Sequence, residues 1–429
     1  MSTALSTDLV PIDALRPVRV LFIDHTAALG GGEIAMLNLV QHLDRSRYEP
    51  EVLLFSDGPL CSRLRNAGIP VHVSPLSETV VSARKDSLGL RSIFRMGDVA
   101  RTLRQILQVR RFIRSGQYAL VHTNSLKADI IGGIAGRLAR KPVIWHVRDR
   151  IADDYLPPLV VRVFRRLARL LPNHLIANSS ATLSTVGRRP NSSVVSSGVV
   201  LDDRASVVHD GTITETSSQR SAQNSFVQRV GIVGRLTPWK GQHIFIRAAA
   251  ALAPRFPHAR FLIVGSALFG ETAYESQLRD LVKKLDLSHR VKFTGFRPNV
   301  AAIMETLDIA VHASTVAEPF GQVIIEAMAA CKPVIATNGG GVPEIMLHGR
   351  TGLMVPMNDP DAMAEALSRL LSNPKLAHEM GQHGRRHVEK YFTIQHTSAK
   401  VMRCYDQVLA RSGSRSIPSP PDSASPLPA

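Results

Sequence analysis

The chain is poor in the residues and apolar runs that define several common classes of protein. Its 429 residues include three cysteines, Cys61, Cys331 and Cys404, which lie far apart, so neither a disulfide framework nor a zinc site is predicted. No apolar stretch approaches the roughly 20 residues that a membrane-spanning helix needs. Residues 1–15 combine acids with no apolar core, unlike a signal peptide, and we expect the protein in the cytoplasm.

Acidic residues are also scarce relative to basic ones. The sequence has 52 Lys and Arg against 35 Asp and Glu, a net charge of +17, and residues 1–205 carry 28 of the basic and 17 of the acidic residues. Such an excess suits nucleic acid, an anionic membrane or an anionic substrate. Few aromatics interleave the basic residues and no DNA- or RNA-reading motif occurs, so we expect no nucleic-acid partner.

Short apolar runs alternate with amphipathic segments through most of the chain. The runs are rich in β-branched residues and apolar on both faces, which is typical of parallel strands covered by helices. The predicted strands are residues 18–24, 51–56, 71–76, 119–124, 142–147, 174–179 and 193–198, then 229–236, 260–267, 290–296, 308–314, 333–338 and 352–356. We therefore predict an α/β protein with two Rossmann-like parallel-sheet domains facing a central cleft.

The composition divides the chain into six segments. They are an N-terminal leader (1–16), an N-terminal Rossmann-like domain (17–202), a polar linker (203–226), a C-terminal Rossmann-like domain (227–391), a C-terminal helix (392–411) and a Ser/Pro-rich tail (412–429). The linker loses the apolar periodicity, which marks it as the domain boundary. The tail is too poor in apolar residues to pack, so we expect it to be disordered.

Three consecutive glycines, Gly30, Gly31 and Gly32, follow the first predicted strand and open a helix. Glycine allows close approach of the backbone, so this turn could lie against a diphosphate at the helix N-terminus. The turn lacks the G-x-G-x-x-G pattern, which weakens a dinucleotide-binding interpretation. A tight connection without a ligand is the alternative.

A second loop, GRLTPWKG at residues 234–241, carries two cations at the end of a predicted strand. Arg235 and Lys240 are close enough in sequence to converge on one anion. Lys240 precedes Gly241, whereas a P-loop needs Gly-Lys-Ser/Thr, so ATP hydrolysis is disfavoured. Two solvated cations in a turn are the alternative.

A third stretch, residues 308–330, predicts a buried strand, a loop and a helix. The loop carries Glu318 and the helix carries Glu326. The helix N-terminus at Phe320 and Gly321 offers unpaired backbone N–H groups and a positive dipole end. Phosphate at the amides and hydroxyls at the acids would suit a nucleotide sugar. Alternatively, Glu318 only caps the helix and Glu326 is solvated.

In order and spacing, GRLTPWKG, FLIVG, EPFGQVIIEAMAACKPVIAT, GGGVPEI and HGRTGLMV resemble the donor domain of the retaining glycosyltransferases of family 4. That family, the glycosyl transferases group 1, has the GT-B fold. The resemblance extends from residue 231 to 356. It is looser in the N-terminal half, where it rests on the glycine turn and on a strand that ends in His146. Cys331 departs from the glycine common in the family.

The resemblance implies roles for the chemically active residues. Arg235 and Lys240 would hold the donor diphosphate. Glu318 would lie beside the transferred sugar, and His146 would lie near the sugar and the acceptor. Fixed cations would stabilise the charge that develops on the leaving group, as transferase chemistry requires.

The resemblance also implies a donor-binding set from both domains. Glu326 would bind the ribose, and Gly30 and Gly31 would approach the diphosphate from the N-terminal domain. The nucleobase would pack near Phe296 and Arg297. The helix end at Phe320 and Gly321 would complete the phosphate site.

No metal or other cofactor is expected. Many sugar transferases hold a metal with D-x-D, and Asp359-Pro360-Asp361 has that spelling. It opens a predicted helix, however, where an N-terminal capping role is the better explanation.

Arginines recur at helical spacing in residues 159–171, where Arg162, Arg165, Arg166 and Arg169 are predicted to share one face. With the arginines of residues 91–114, this face would attract anionic lipid. An ordinary solvated helix face is the alternative.

Taken together, the residue patterns and the resemblance imply a retaining glycosyltransferase that moves a sugar from a nucleotide-sugar donor to a hydroxyl of a glycan or lipid-linked acceptor. The N-terminal domain (17–202) would then be the acceptor domain, and the C-terminal domain (227–391) the donor domain. Cell-surface polysaccharide or glycolipid synthesis is the expected setting, with a peripheral position on the inner face of the membrane as an extension of the cytoplasmic prediction. Two alternatives stay open: a nucleotide-sugar epimerase of GT-B shape, and a non-catalytic basic scaffold that binds nucleotide at the membrane.

Overall fold

The computed structural model describes residues 16–75, 96–154, 156–201, 227–267 and 271–413. The predicted polar linker lies outside these ranges, as do nearly all of the predicted leader and tail. None of the helices in the described ranges combines the length and the hydrophobicity needed to cross a membrane.

The N-terminal domain is built on one sheet of seven parallel strands in the order β3-β2-β1-β4-β5-β6-β7. The strands are β1 (Val18–Asp24), β2 (Tyr48–Leu54), β3 (Val71–Val73), β4 (Leu120–Thr123), β5 (Val143–Val147), β6 (His174–Ala177) and β7 (Ser192–Val194). The helices are α1 (Gly31–Gln41), α2 (Pro59–Asn66), α3 (Met96–Ser115), α4 (Leu126–Leu138), α5 (Pro158–Leu170) and α6 (Ser180–Val186). Helices cover both faces of the sheet. β1 is therefore buried on both sides, as its continuous apolar run predicts.

The C-terminal domain is likewise a parallel sheet whose strands alternate with helices. Its six strands have the order β10-β9-β8-β11-β12-β13. They are β8 (Gln228–Val233), β9 (Ala259–Val264), β10 (Val291–Gly295), β11 (Ile309–His312), β12 (Val334–Thr337) and β13 (Gly352–Val355). The helices are α7 (Gln242–Leu252), α8 (Thr272–Lys284), α9 (Val300–Thr306), α10 (Gln322–Ala329), α11 (Val342–Ile345), α12 (Pro360–Leu371), α13 (Pro374–Tyr391) and α14 (Ile394–Arg411). The predicted fold class, two parallel-sheet Rossmann-like domains, is confirmed.

Two strands, β2 and β9, have ends that differ from the predicted ones, and backbone contacts explain both differences. The second strand begins at Tyr48, three residues early, because Val18 N donates to Arg47 O and extends the pairing with β1. The strand predicted to reach residue 267 ends at Val264. Gly265, with φ of 137°, turns away there, and a Cβ at that position would lie 2.0 Å from Gly234 O.

The last helix, α14, packs on the sheet of the N-terminal domain. Val401, Tyr405 and Val408 are buried in the same apolar cluster as β1, β2 and α1. Val199 anchors the crossing, since its N–H donates to Phe392 O and its carbonyl accepts from Ile394 N, both at 2.9 Å. The chain therefore returns to its first domain after completing the second, which ties the two domains together at one end.

The carboxyl ends of the two sheets face each other. Arg150, in the loop after β5, donates through Nη1 to Ala317 O at 3.4 Å, and Ser179, after β6, donates to Pro319 O at 2.5 Å. Ala317 and Pro319 lie in the loop after β11. Open parallel sheets bind their ligands outside the carboxyl ends of the strands, so the loops along this boundary are where a shared site is expected.

Candidate active site

Glu318 lies in the loop that follows β11 and is surrounded by hydrogen-bond donors. Its side chain accepts from Lys240 Nζ at 2.9 Å on both carboxylate oxygens. Ser314 Oγ donates to Oε2 at 2.7 Å, and His312 Nε2 lies 3.3 Å from the same oxygen. The carboxylate is 8 % exposed, so these donors replace water around it.

The charge state of Glu318 follows from these contacts. Burial alone would raise the pKa of the carboxyl, but the Lys240 ammonium and the His312 hydrogen bond outweigh it and hold that pKa well below its usual range. Glu318 is therefore an ionised acceptor at neutral pH. The loop after β8 and the loop after β11 meet at this pair, as the two motifs together predict.

The loop after β8 carries both predicted phosphate-binding cations around one indole ring. Lys240 Nζ lies 4.4 Å and Arg235 Cζ 5.8 Å from the centroid of the Trp239 ring. Gly241 ends this loop with φ of 72°, and a Cβ there would lie 1.9 Å from Ala313 O. Only glycine can lie this close to Ala313, so Gly241 allows the loop to pack against the end of β11.

The N-terminus of α10 lies directly after Glu318. Gly321 caps the helix with φ of 107°, and its carbonyl accepts from Ile324 N at 2.9 Å. The first amides of a helix have no carbonyl in the preceding turn to pair with, so they can bind an anion. Phe320 contributes only its backbone there: its side chain is buried and packs against Phe392, with ring centroids 6.3 Å apart. The predicted role of Phe320, which rests on the backbone at the helix N-terminus, stays a prediction.

Glu326 and Gln322 occupy one face of α10, one turn apart. Burial raises the pKa of Glu326 to about 7. Both carboxamide atoms of Gln322 are hidden from solvent and have no hydrogen-bond partner of good geometry among the described residues. The carboxamide lies close enough to Glu326 to oppose the effect of burial on the pKa of that carboxyl. Because buried polar atoms are normally paired, this face is suited to a polar ligand. Gln322 was missed by the sequence analysis, although its spacing of four from Glu326 was the signal.

Phe296 and Arg297 follow β10 on the same side of the domain. The Phe296 ring is 51 % exposed, which leaves it available for stacking. Arg297 Nε is buried, and no residue in the described ranges lies in position to accept a hydrogen bond from it. Both features are consistent with the predicted nucleobase position, which stays a prediction.

On the opposite side of the boundary, the glycine turn opens α1. A Cβ at Gly30 would lie 2.5 Å from Glu33 Oε2, whereas Gly31 has no atom within 4 Å of that position. Gly31 thus presents open backbone at the helix N-terminus, as the predicted approach to a diphosphate requires. Burial raises the pKa of Glu33 to about 7, with the charge of Asp24 adding to the effect.

Asp24, His25 and Glu33 are the one group of potential metal ligands that lies together within the described ranges. Both Asp24 oxygens already accept hydrogen bonds, from Asn124 Nδ2 at 2.7 Å, Ser125 Oγ at 2.8 Å and His25 N at 2.6 Å. The carboxylate is satisfied by protein donors, so the residues present do not assign a metal here.

The D-x-D sequence of the C-terminal domain, Asp359-Pro360-Asp361, caps a helix. Asp359 Oδ1 accepts from Ala362 N at 2.8 Å at the start of α12. The predicted capping role is confirmed.

The structure places His146 in a buried pair of histidines. Its side chain is fully buried, and Nδ1 lies 3.2 Å from His122 Nε2, which continues through His122 Nδ1 to Tyr405 Oη at 2.7 Å. Burial lowers the pKa of His146 well below its usual value. His146 Nε2 is buried and has no hydrogen-bond partner among the described residues, and the role predicted for this side chain near the sugar and the acceptor stays a prediction.

Arg148, two residues further on, contacts His146, with Nη2 3.4 Å from His146 Nδ1. Its Nε donates to Asn124 Oδ1 at 2.7 Å and its Nη1 donates to Ser197 Oγ at 3.0 Å. Its Cδ lies 3.5 Å from where a Cβ of Gly32 would be, which places the cation beside the glycine turn. Arg148 was missed because it lies one residue beyond the end of β5.

The predicted arginine face of α5 is corrected. Arg162, Arg166 and Arg169 are exposed. Arg165 instead turns inward, where Nε donates to Thr185 O at 2.7 Å and Nη2 to Ile151 O at 2.9 Å. Three arginines, not four, form the exposed face.

Two domains that face each other through their sheet ends, with a cation pair, a helix N-terminus and two carboxylates on one side, define the GT-B class of glycosyltransferases. The model of the glycosyl transferase 4-like domain matches residues 30–211, and that of glycosyl transferases group 1 matches residues 214–387. The chain belongs to the group 1 glycosyltransferases.

Individual proteins are similar over different spans. The chain is 26 % identical to Anabaena HepE, whose crystal structure contains UDP and glucose, with a TM-score of 0.76 over 91 % of this chain and all of that one. It is 34 % identical to the putative glycosyltransferase YtcC of Bacillus subtilis over 41 % of this chain and 44 % of YtcC. It is 28 % identical to the D-inositol 3-phosphate glycosyltransferase of Corynebacterium efficiens over 73 % of this chain and 77 % of that one. Three of the first four curated relatives are matched over 44 to 53 % of their length.

Proposed function

We propose that the protein is a retaining glycosyltransferase that transfers a sugar from a nucleoside diphosphate sugar to an acceptor hydroxyl. The ion pair of Glu318 and Lys240 beside the N-terminus of α10 carries this proposal. It puts an anion and a cation within one site, and a glycosyl donor needs both. The carboxylate would lie by the electron-poor anomeric carbon, and the cations by the departing diphosphate.

The reaction would break the bond between the anomeric carbon and the diphosphate oxygen and form a bond from that carbon to the acceptor oxygen. The acceptor proton would pass to the departing diphosphate. Lys240, Arg235 and the α10 amides would stabilise the negative charge as it develops on the leaving group. For retention, the acceptor would approach from the face that the diphosphate leaves, and Glu318 would support the positive charge on the sugar.

A uridine diphosphate hexose is the first donor to test, because HepE was crystallised with UDP and glucose and is similar over both domains. Thermal stabilisation by a panel of nucleotide sugars at about 100 times the dissociation constant should add roughly 2.7 kcal/mol for the true donor. Product analysis then separates the alternatives. Transfer releases the nucleoside diphosphate, an epimerase returns an altered nucleotide sugar, and a scaffold changes neither.

We propose a glycan or lipid-linked acceptor, used in cell-surface polysaccharide or glycolipid synthesis, and an anionic membrane as the docking surface. On α5, Val163 and Leu170, which are 46 % and 65 % exposed, accompany the three exposed arginines. On α3, which packs into the same side of the sheet, Leu103 is 56 % exposed beside Arg104. Apolar anchors among arginines suit the cytoplasmic leaflet.

Vesicle sedimentation tests this docking. Each arginine near an anionic surface contributes about 1 kcal/mol, and salt screens the attraction. Replacing Arg162, Arg166 and Arg169 with glutamine should release the protein from anionic vesicles. Replacing the exposed Arg255, Lys283 and Lys284 of the C-terminal domain removes the same charge and should leave binding intact. Equal sedimentation of both variants would refute the assignment of this face.

A further inference from the structure

The loop that carries Glu318 is held from the other domain. Pro319 O accepts two hydrogen bonds from the start of α6, one from Ser179 Oγ at 2.5 Å and one from Thr182 Oγ1 at 3.1 Å. Ala317 O accepts from Arg150 Nη1 at 3.4 Å. The carbonyls on either side of Glu318 therefore both depend on side chains of the N-terminal domain.

A second contact reaches the same loop through α11. The Glu344 carboxylate accepts from the amides of Ser180 at 2.7 Å and Ala181 at 2.8 Å, at the N-terminus of α6. Glu344 follows a second run of three glycines, residues 339–341. In this second run, Gly341 N donates to Glu318 O at 2.8 Å. The N-terminal domain thus forms hydrogen bonds with the Glu318 loop directly. Through Glu344 it also bonds to the segment that follows the turn supporting this loop.

The hydrogen bonds of Arg150, Ser179, Thr182 and Glu344 cross the domain boundary, so separation of the domains would break them together. Ser179 and Thr182 are 1 % and 0 % exposed, which shows that the hydroxyls lie in a closed interface. Pro319 O, without them, would have to be solvated. Substrate entry and product release require opening in enzymes whose sites lie between domains.

We propose that Thr182 and Glu344 are positioning residues, with Ser179, that fix the Glu318 loop only when the two domains are closed. They would couple closure to the geometry of the carboxylate, so that Glu318 is correctly placed when the donor is enclosed and loosened when the nucleotide leaves. This inference rests on the proposed function for its kinetic consequence. Its structural consequence, order in the loop, does not depend on which reaction is catalysed.

Two substitutions test the proposal, each with a matched control. Thr182→Val removes one hydroxyl bond to Pro319 O, and Thr185→Val, on the same helix, removes a hydroxyl whose bonds to Ile151 N and Thr182 O stay within the N-terminal domain. Glu344→Ala removes the carboxylate at α6, and Glu379→Ala removes an exposed carboxylate on α13. Because small displacements of a reacting group are costly, Thr182→Val and Glu344→Ala should lower kcat by about ten- to a hundred-fold.

The readout that separates positioning from general destabilisation is a split between turnover and binding. The dissociation constant of UDP, used as the probe, should match that of the controls, and both test variants should stay folded at the assay temperature, while kcat falls in the test variants alone. A fall in kcat that the controls share, or one that follows lost stability, would overturn the proposal. So would unchanged kcat in both test variants.

Hydrogen exchange gives a second test that is independent of activity. With saturating UDP, the amides of residues 315–321 should exchange at least several-fold faster in Glu344→Ala than in wild type or Glu379→Ala. Equal exchange would contradict the proposal even if no transfer reaction were found. Faster exchange without any transfer would uphold the coupling and count against the proposed function alone.

Discussion

Replacing Lys240 with alanine should leave Glu318 as a buried carboxylate that has lost its counterion. Ser314 and His312 would still donate hydrogen bonds, but no ammonium would balance the charge. Removing one partner of a buried ion pair costs about 3 to 5 kcal/mol. We expect the lower end, roughly 3 kcal/mol, because the Lys240 side chain is 20 % exposed and water can reach the gap.

The pH dependence identifies the source of that loss. In wild type the folded-state pKa of Glu318 is depressed, so the group contributes stability above its unfolded pKa and loses that contribution as the pH falls. Without Lys240, burial dominates and raises the pKa of Glu318. The variant should therefore be least stable relative to wild type at neutral pH, and the difference should shrink as the pH approaches 4.5.

Thermal unfolding at pH 7.5 and at pH 4.5 measures this difference. A loss of about 3 kcal/mol corresponds to a shift of roughly 6 to 12 °C for a domain of this size. Adding Glu318→Gln to Lys240→Ala should recover much of the shift at neutral pH, because no buried charge remains, while transfer stays low. An equal loss at both pH values, with no recovery in the double variant, would refute the ion pair as described.

Three further predictions concern the metal, the ribose site and the Glu318 loop. Transfer should survive excess chelator, measured as UDP release, and loss of activity that magnesium restores would show a metal at the diphosphate. UDP affinity should weaken as the pH falls through about 7 and Glu326 is protonated, because a ribose hydroxyl donates best to a carboxylate; calorimetry of Glu326→Gln should show a weaker and flatter profile. Gly340→Ala would place a Cβ 1.9 Å from Glu318 O at φ of 63°, so it should cost more than about 1 kcal/mol of stability and reduce kcat, whereas Gly349→Ala, in open space at φ of 76°, should reduce stability alone.

The fold was predictable because parallel strands covered on both faces leave continuous apolar runs in the sequence. The contacts of single side chains at strand ends did not follow from those runs. His146 lies within β5, whereas Arg148 follows the last residue of that strand, Val147, and donates to Asn124 and Ser197. These partners lie on other segments of the chain, so the residues next to Arg148 in sequence do not predict them.

The site was predictable where a motif is local and not where it depends on packing. Lys240 and Glu318 meet because each lies in a short loop at the end of a neighbouring strand, β8 beside β11. Arg165 has the same helical spacing as its exposed neighbours, yet it turns inward because two backbone carbonyls lie within reach. Such partners come from distant segments, and the spacing of arginines in one helix contains no information about them.

The contact of Glu344 was equally unpredictable from local sequence, because its partner lies in the other domain. Its carboxylate meets α6 of the other domain, 163 residues away in sequence. Nothing in the local sequence around it predicts that partner. The motif that contains it was recognised for its resemblance, while its contact became visible only in the folded chain.

The anomeric configuration of the sugar released from UDP-glucose tests the central claim most directly. With water as the acceptor, early spectra from nuclear magnetic resonance should show α-glucose, the configuration of the donor, before mutarotation. Glu318→Gln should release it far more slowly while still binding UDP. Release of β-glucose, or an unchanged rate in Glu318→Gln, would contradict a retaining transfer that depends on this carboxylate.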